Sequence, residues 1–239
     1  MEASIEKTSE FKRGVQSGLS IAIGYFPIAL AFGLLSKTTG LTLFETVLMS
    51  LAVFAGASQY MSLSLFASGA GAFVIIFTTF VVNIRHFLMS ASLNEKVEKE
   101  NPIIKSLYAF GITDETFSVM ATKDGKVSTG FAFGVIGISY ASWVVNSGIG
   151  YVIGASLPQV LQESMTVALY AMFIGLLVPS LKKSMKVVYL AVLAAAFNSI
   201  FIFSKLLEDG WAIVISTILS AIIVELAESI KRRKRGNES

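Results

Sequence analysis

Residues 72–93 read AFVIIFTTFVVNIRHFLMSASL, and the reading of this stretch decides the fold. It is long and apolar enough to span a bilayer, yet Asn83, Arg85 and His86 lie near its middle, and His86 is the only histidine in the chain. An ionisable side chain at that depth costs about 2.5–3.5 kcal/mol or more, so it persists where it faces a bundle interior or a watery cavity. On a helix, Thr79, Asn83, His86 and Ser90 form one stripe, and Thr78, Arg85 and Ser92 a second stripe beside it. The opposite side is Phe, Val, Ile and Leu. The segment therefore reads as a helix with one face to lipid and one face to polar surroundings.

The rest of the chain fits that reading. Charged residues make up 15% of the 239 positions and apolar residues 54%, and the mean hydropathy is +0.71. Soluble domains carry about 25% charged residues, so the chain falls in the polytopic membrane class. There are no cysteines, which excludes a disulfide framework and Cys-held metals or clusters. The net charge of +3 is not a nucleic-acid signal, because the basic residues concentrate in tails and short loops. The first thirteen residues are polar, and the apolar run after them has no small-x-small cleavage site, so no signal peptide is expected.

Apolar runs of spanning length occupy residues 15–36, 41–66, 72–92, 128–154, 159–181, 185–206 and 210–228. An eighth candidate, Ile103–Thr122, runs into Thr113, Asp114 and Glu115; it can span, break midway or lie at the interface. The expected fold is all-α, with seven or eight transmembrane helices in one domain over 1–239, some of them interrupted. Lys231–Arg235 place the C-terminal tail, 229–239, in the cytoplasm and against anionic lipid.

A duplication is also visible. Ala52-x-Phe54-x-Gly56 returns as Ala171-x-Phe173-x-Gly175, and Asn83 and Asn198 each follow in the next run. This suggests halves of 11–122 and 127–228, inverted if the unit has three spans and parallel if it has four, with a binding site at their interface.

Several residues then stand out as candidates. Gly24, Pro27 and Gly33 interrupt the first run, and a Pro kink either frees backbone groups for a substrate or serves packing. Gly14-x3-Gly18-x3-Ala22 and Ala29-x3-Gly33 are faces for close helix packing. Ala55-Gly56-Ala57-Ser58-Gln59, with apolar sequence on both sides, reads as an unwound turn able to hold a zwitterion or an ion; the alternative is interhelical hydrogen bonding by Ser58 and Gln59. Asp114 and Glu115 diverge on a helix, and one of them can meet Arg85 or His86, which makes a proton relay. Trp143, Asn146, Ser147, Gly148 and Gly150 form another polar patch, while Glu45, Glu225 and Glu228 read as interfacial. A Ser58–His86 intramembrane protease is disfavoured, since Gln59 stands where a Gly is wanted. One His and no Cys make a metal site poor. No Gly-x4-Gly-Lys-Ser/Thr loop exists, so ATP-driven transport by this chain alone is excluded.

Gly24-x2-Pro27, Ala55-Gly56-Ala57-Ser58-Gln59, Asn83-Ile84-Arg85-His86 and Thr113-Asp114-Glu115 occur in this order. With them the chain resembles, from about Phe11 to Leu226, the AzlC-type (azaleucine resistance) branched-chain amino-acid permeases, the large subunit of a two-component exporter. The resemblance implies export of valine, leucine, isoleucine and sometimes methionine across the bacterial plasma membrane. It implies a secondary process driven by the proton gradient and a small hydrophobic AzlD-type membrane subunit as partner; from the residues themselves no cofactor and no enzymatic activity are expected. No site assignments come with it, so those that follow are read from the residues. Pro27, Gly56, Ser58, Gln59, Asn83, Arg85 and Asn198 are expected to hold the substrate, and His86, Asp114 and Glu115 to carry the coupling proton. The alternative readings are an ion or small-solute channel, a transporter of another substrate, and a non-transporting scaffold.

Overall fold

The computed structural model describes residues 2–156, 158–160, 184–207 and 209–236, with isolated positions between 167 and 182. The second Ala-x-Phe-x-Gly copy at 171–175 lies outside the described residues, as do the side chains of the 231–235 basic tail. Every element among the described residues is helical: α1 Glu2–Thr38, α2 Leu43–Ala52, α3 Gly56–Ala67, α4 Ala72–Asn94, α5 Pro102–Phe110, α6 Asp114–Thr122, α7 Thr129–Ile153, α8 Met185–Phe203 and α9 Asp209–Gly236. Five of them are long and apolar enough to cross a membrane: Glu10–Thr38 of α1, α4, α7, α8 and Trp211–Ile230 of α9.

The chain divides into two compact units. One comprises Met1–Ser64 with Val82–Leu169, the other Leu65–Val81 with Tyr170–Ser239. These units describe packing, whereas the sequence halves 11–122 and 127–228 describe a repeat of runs.

The first unit is built on α1 against α7. Their glycines interlock: a side chain on Gly14 would strike the Phe131 backbone, one on Gly18 the Val135 backbone, one on Gly150 the Leu30 backbone and one on Gly33 the Ser147 backbone. The pairs advance together along both helices, so α1 and α7 run parallel. They are the first helices of the two sequence halves, and an inverted pair of halves would set them antiparallel. Small residues allow this approach, which in a membrane gives van der Waals packing in place of a hydrophobic drive.

Two broken helical pairs enter this frame from opposite ends. Thr42 caps α2 in a box with Glu45, so the carboxylate expected at the interface serves as a helix cap. From there α2 climbs α7 toward its middle, with Val47 beside Gly148 and Ser50 bonded to Ser147 at 2.9 Å. The helix stops at Val53–Ala55, and Gly56 lies under the Trp143 ring. Then α3 turns back: Tyr60 donates to the Ile28 carbonyl at 2.6 Å and packs on Phe32. The 41–66 run is therefore a hairpin that enters and leaves at one end, not a crossing helix.

The α5–α6 pair mirrors it from the other end. Asn101 caps α5 and Pro102 opens it. Tyr108 packs on Phe133, Gly111 on Ile136 and Phe110 on Tyr140, so α5 rises along α7. The chain breaks at Gly111–Thr113 and α6 descends. In its last turn the Ala121 carbonyl accepts from Lys96 Nζ at 2.6 Å, and Lys123 then lies 3.5 Å from Glu10 and over the Phe131 ring. Of the three options open for Ile103–Thr122, the structure takes the midway break. A nine-residue helix is about 14 Å long, roughly half of a bilayer core near 30 Å. Hairpins of this size reach the middle and return.

In the second unit, α8 and α9 pack together. Phe73 and Phe77 stack, and both meet Trp211. Lys186 bridges Glu225 at 2.6 Å and Glu228 at 3.0 Å, so these carboxylates do more than reach for the interface.

Candidate functional site

Both hairpin tips of the first unit arrive at the level of Tyr25. Phe54 of the first tip packs edge-on against Tyr25 at 6.0 Å and against Tyr140 at 5.2 Å. Thr113 of the second tip meets the Tyr25 hydroxyl at 2.8 Å. Trp143 packs on Tyr25 from α7. The polar middle of α4 lies at the same level, where Asn83 donates to the Ser58 hydroxyl at 3.1 Å and Arg85 pairs with Asp114 at 2.9 Å.

The first tip is fixed by a buried chain of hydrogen bonds. Trp143 donates its indole N–H to Gln59 Oε1 at 2.8 Å, and the Gln59 amide donates to Ser50 Oγ at 3.3 Å. Ser50 donates to Ser147 Oγ, which donates to the Trp143 carbonyl at 2.7 Å. Gln59 is fully buried, and each of its polar ends has a partner, as a buried amide requires. Tyr140 donates to the Leu51 carbonyl at 2.7 Å, which satisfies one acceptor at the end of α2. Ser58 donates to the Ala55 carbonyl at 2.9 Å. The unwound turn read from Ala55–Gln59 thus lies at Val53–Ala55, with Ser58 and Gln59 on the first turn of α3.

The second tip is fixed by its caps. Thr113 and Thr116 exchange hydrogen bonds, N–H to hydroxyl in both directions, and the Thr116 hydroxyl donates to the Gly111 carbonyl at 2.9 Å. Asp114 and Glu115 follow at the helix start, where the N-terminal dipole favours anions. They point to different partners, as their adjacency requires. Asp114 holds Arg85, and Glu115 Oε2 accepts from Tyr25 at 2.7 Å.

The structure thus assembles Gly56, Ser58, Gln59, Asn83, Arg85, Asp114 and Glu115 at one level. His86 is half-buried beside Arg85 on α4, and its imidazole has no hydrogen-bond partner among the described residues. It is not a partner of Ser58, whose hydroxyl is engaged by Ala55 and Asn83. Pro27 lies on an exposed face of an unbroken α1, away from the assembled side chains. Asn198 belongs to α8 in the second unit. Two buried polar atoms of the cluster, Asn83 Oδ1 and Arg85 Nε, have no hydrogen-bond partner among the described residues.

Sequence reasoning missed Tyr25, Ser50 and Tyr60. Tyr25 carries no motif signal, because an aromatic residue in an apolar run reads as lipid-facing or core. Trp143 and Ser147 were legible only as a polar patch.

Long apolar helices, two opposed re-entrant hairpins and a charge pair between α4 and one hairpin tip define the class, an all-helical multi-pass membrane protein. The chain belongs to the AzlC family, whose model, described as AzlC protein, matches residues 20–157. It is 32% identical to an uncharacterized membrane protein of Archaeoglobus fulgidus over 75% of this chain and 80% of that one. It is 29% identical to the inner membrane protein YgaZ of Escherichia coli over 82% and 84%. It is 26% identical to the branched-chain amino acid transport protein AzlC of Bacillus subtilis over 74% and 70%. No solved structure matches the chain.

Proposed function

We propose that this chain is a secondary transporter that exports valine, leucine, isoleucine and methionine-like amino acids from the bacterial cytoplasm. It acts in the plasma membrane with a small AzlD-type subunit, with its C-terminus inside, and draws on the proton gradient. The observation that carries the reading is the Arg85–Asp114 pair between α4 and the second hairpin tip. A zwitterionic amino acid bears the same two charges as this pair. It can part the pair and give each side chain a new partner without changing the net charge of a low-dielectric site. Its carboxylate would take Arg85 and the N–H groups at the start of α3. Its ammonium would take Asp114 or Glu115, and its aliphatic chain the Phe, Ile and Leu side chains nearby. The unpartnered Asn83 Oδ1 and Arg85 Nε supply one acceptor and one donor more. His86, Asp114 and Glu115 would carry the proton. The substrate assignments of Pro27 and Asn198 rest on the sequence.

The test is efflux of preloaded radiolabelled valine from cells without their own exporters, expressing the chain with and without the small subunit and with and without a protonophore. Efflux is expected to need the subunit, to stop with the protonophore, and to vanish in Arg85→Ala while the variant still inserts in the membrane. Normal valine efflux in Arg85→Ala sinks the site assignment. No wild-type valine efflux in any combination sinks the substrate assignment.

A further inference from the structure

We infer that Glu115 is the proton-carrying carboxylate and Asp114 the fixed charge, with Tyr25 as the positioning residue that lets Glu115 hold or lose its proton in place. This deepens the proposed function and rests on it.

The two carboxylates differ in what faces them. Asp114 Oδ2 is 2.9 Å from Arg85. A guanidinium has donors only. A proton on that oxygen would set donor against donor and strand the Arg85 charge, so Asp114 stays ionised while the pair holds. Glu115 Oε2 instead faces the Tyr25 hydroxyl at 2.7 Å, which both donates and accepts. Tyr25 in turn meets Thr113 Oγ1 at 2.8 Å, and either atom can be the donor.

These three groups form a chain that can reverse. With Glu115 ionised, Thr113 donates to Tyr25 and Tyr25 donates to Glu115. When a proton arrives from water, a new O–H bond forms on Glu115 and its charge is neutralised. Glu115 then donates to Tyr25, Tyr25 donates to Thr113, and the Thr113 hydroxyl turns to Thr116 Oγ1, which is 3.4 Å away. No buried group loses a partner in either state, and the Thr116 N–H keeps its bond to Thr113. Deprotonation on the other side of the membrane returns the proton to water. No electrons move and no further reactant is needed.

The charged and titratable groups facing Glu115 are few. α1 brings Tyr25 to Glu115 and α6 brings its neighbour Asp114, while the charges of α4 lie on the Asp114 side, Arg85 paired with Asp114 and His86 beside it. α7, Thr129–Ile153, has no Asp, Glu, Lys, Arg or His, and its titratable groups are Tyr140, which donates to the Leu51 carbonyl, and Tyr151 near Lys37. Glu115 is thus the carboxylate of this group whose hydrogen-bond partner is neutral.

The experiment uses the full chain with its small subunit in proteoliposomes, with valine as the probe. Two quantities are read: exchange of valine for valine, which moves no net proton, and accumulation of valine into an acidic lumen. One pH unit coupled to one proton multiplies the accumulation ratio by about ten. The wild type is expected to show that ratio. In Glu115→Gln the ratio is expected to fall to about one while exchange is still measurable, which also certifies the fold. In Asp114→Asn exchange and accumulation are expected to slow together, with the final ratio kept. In Tyr25→Phe, which removes only the hydroxyl, the ratio is expected to fall as in Glu115→Gln. A full accumulation ratio in Glu115→Gln, or selective loss of the ratio in Asp114→Asn, overturns the inference and leaves the transport reading standing. A wild type that neither exchanges nor accumulates valine overturns both.

Discussion

Arg85, two turns from the end of α4, and Asp114, the first residue of α6, meet at 2.9 Å across a gap of unrelated chain. Their side chains keep 38% and 27% of their surface exposed, so the chain itself desolvates the pair only in part. An exposed surface pair contributes little, and a buried one costs heavily when halved. This pair lies between those limits. In a double-mutant cycle of Arg85→Ala and Asp114→Ala, the coupling is expected to be about 1 kcal/mol. Thermal unfolding of the detergent-purified variants measures it, and strictly additive losses would show that the pair does not stabilise the tips.

The buried chain through Gln59 gives a second expectation. Trp143→Phe leaves Gln59 Oε1 without its donor and also removes part of the ring that covers Gly56. Leaving a buried acceptor unpaired costs about 1–3 kcal/mol. The variant should melt earlier in circular dichroism, and an unchanged melting point would mean that Gln59 finds another partner.

Glycine contact along α1 and α7 separates two substitutions that look alike in sequence. Gly150→Ala puts a methyl group into the Leu30 backbone, whereas Gly24→Ala meets nothing within 4 Å. The first is expected to destabilise by about 1–3 kcal/mol, the range for overpacking. The second is expected to be neutral or stabilising by about 0.5–1 kcal/mol, as for Gly to Ala in a helix. Size-exclusion profiles after heating compare the two directly.

The hairpin architecture predicts which loops share a side of the membrane. The chain has no cysteine, so single cysteines report cleanly. Lys12→Cys, Glu98→Cys and Asp124→Cys should react with a membrane-impermeant maleimide from one side, and Thr39→Cys from the other. Labelling of Glu98→Cys and Asp124→Cys from opposite sides would show that α5–α6 crosses.

The sequence by itself determined the helical class, the apolar runs and the polar residues stranded within them. These follow from local composition, because burying a polar group in lipid is costly wherever the chain puts it. It also placed a break near Gly56, since a run of small and hydroxyl residues inside apolar sequence is a poor continuous helix, and left a midway break as one of three options for Ile103–Thr122. Only the tertiary structure decided that the 41–66 run returns to the end it came from. Hydropathy records how apolar a segment is and carries no direction, and the turn depends on side chains some 90 residues away, such as Trp143 against Gln59. It likewise decided that Asp114 takes Arg85 while Glu115 takes Tyr25. Two adjacent carboxylates are equivalent in sequence. They become different when a helix places one against a cation and the other against a hydroxyl.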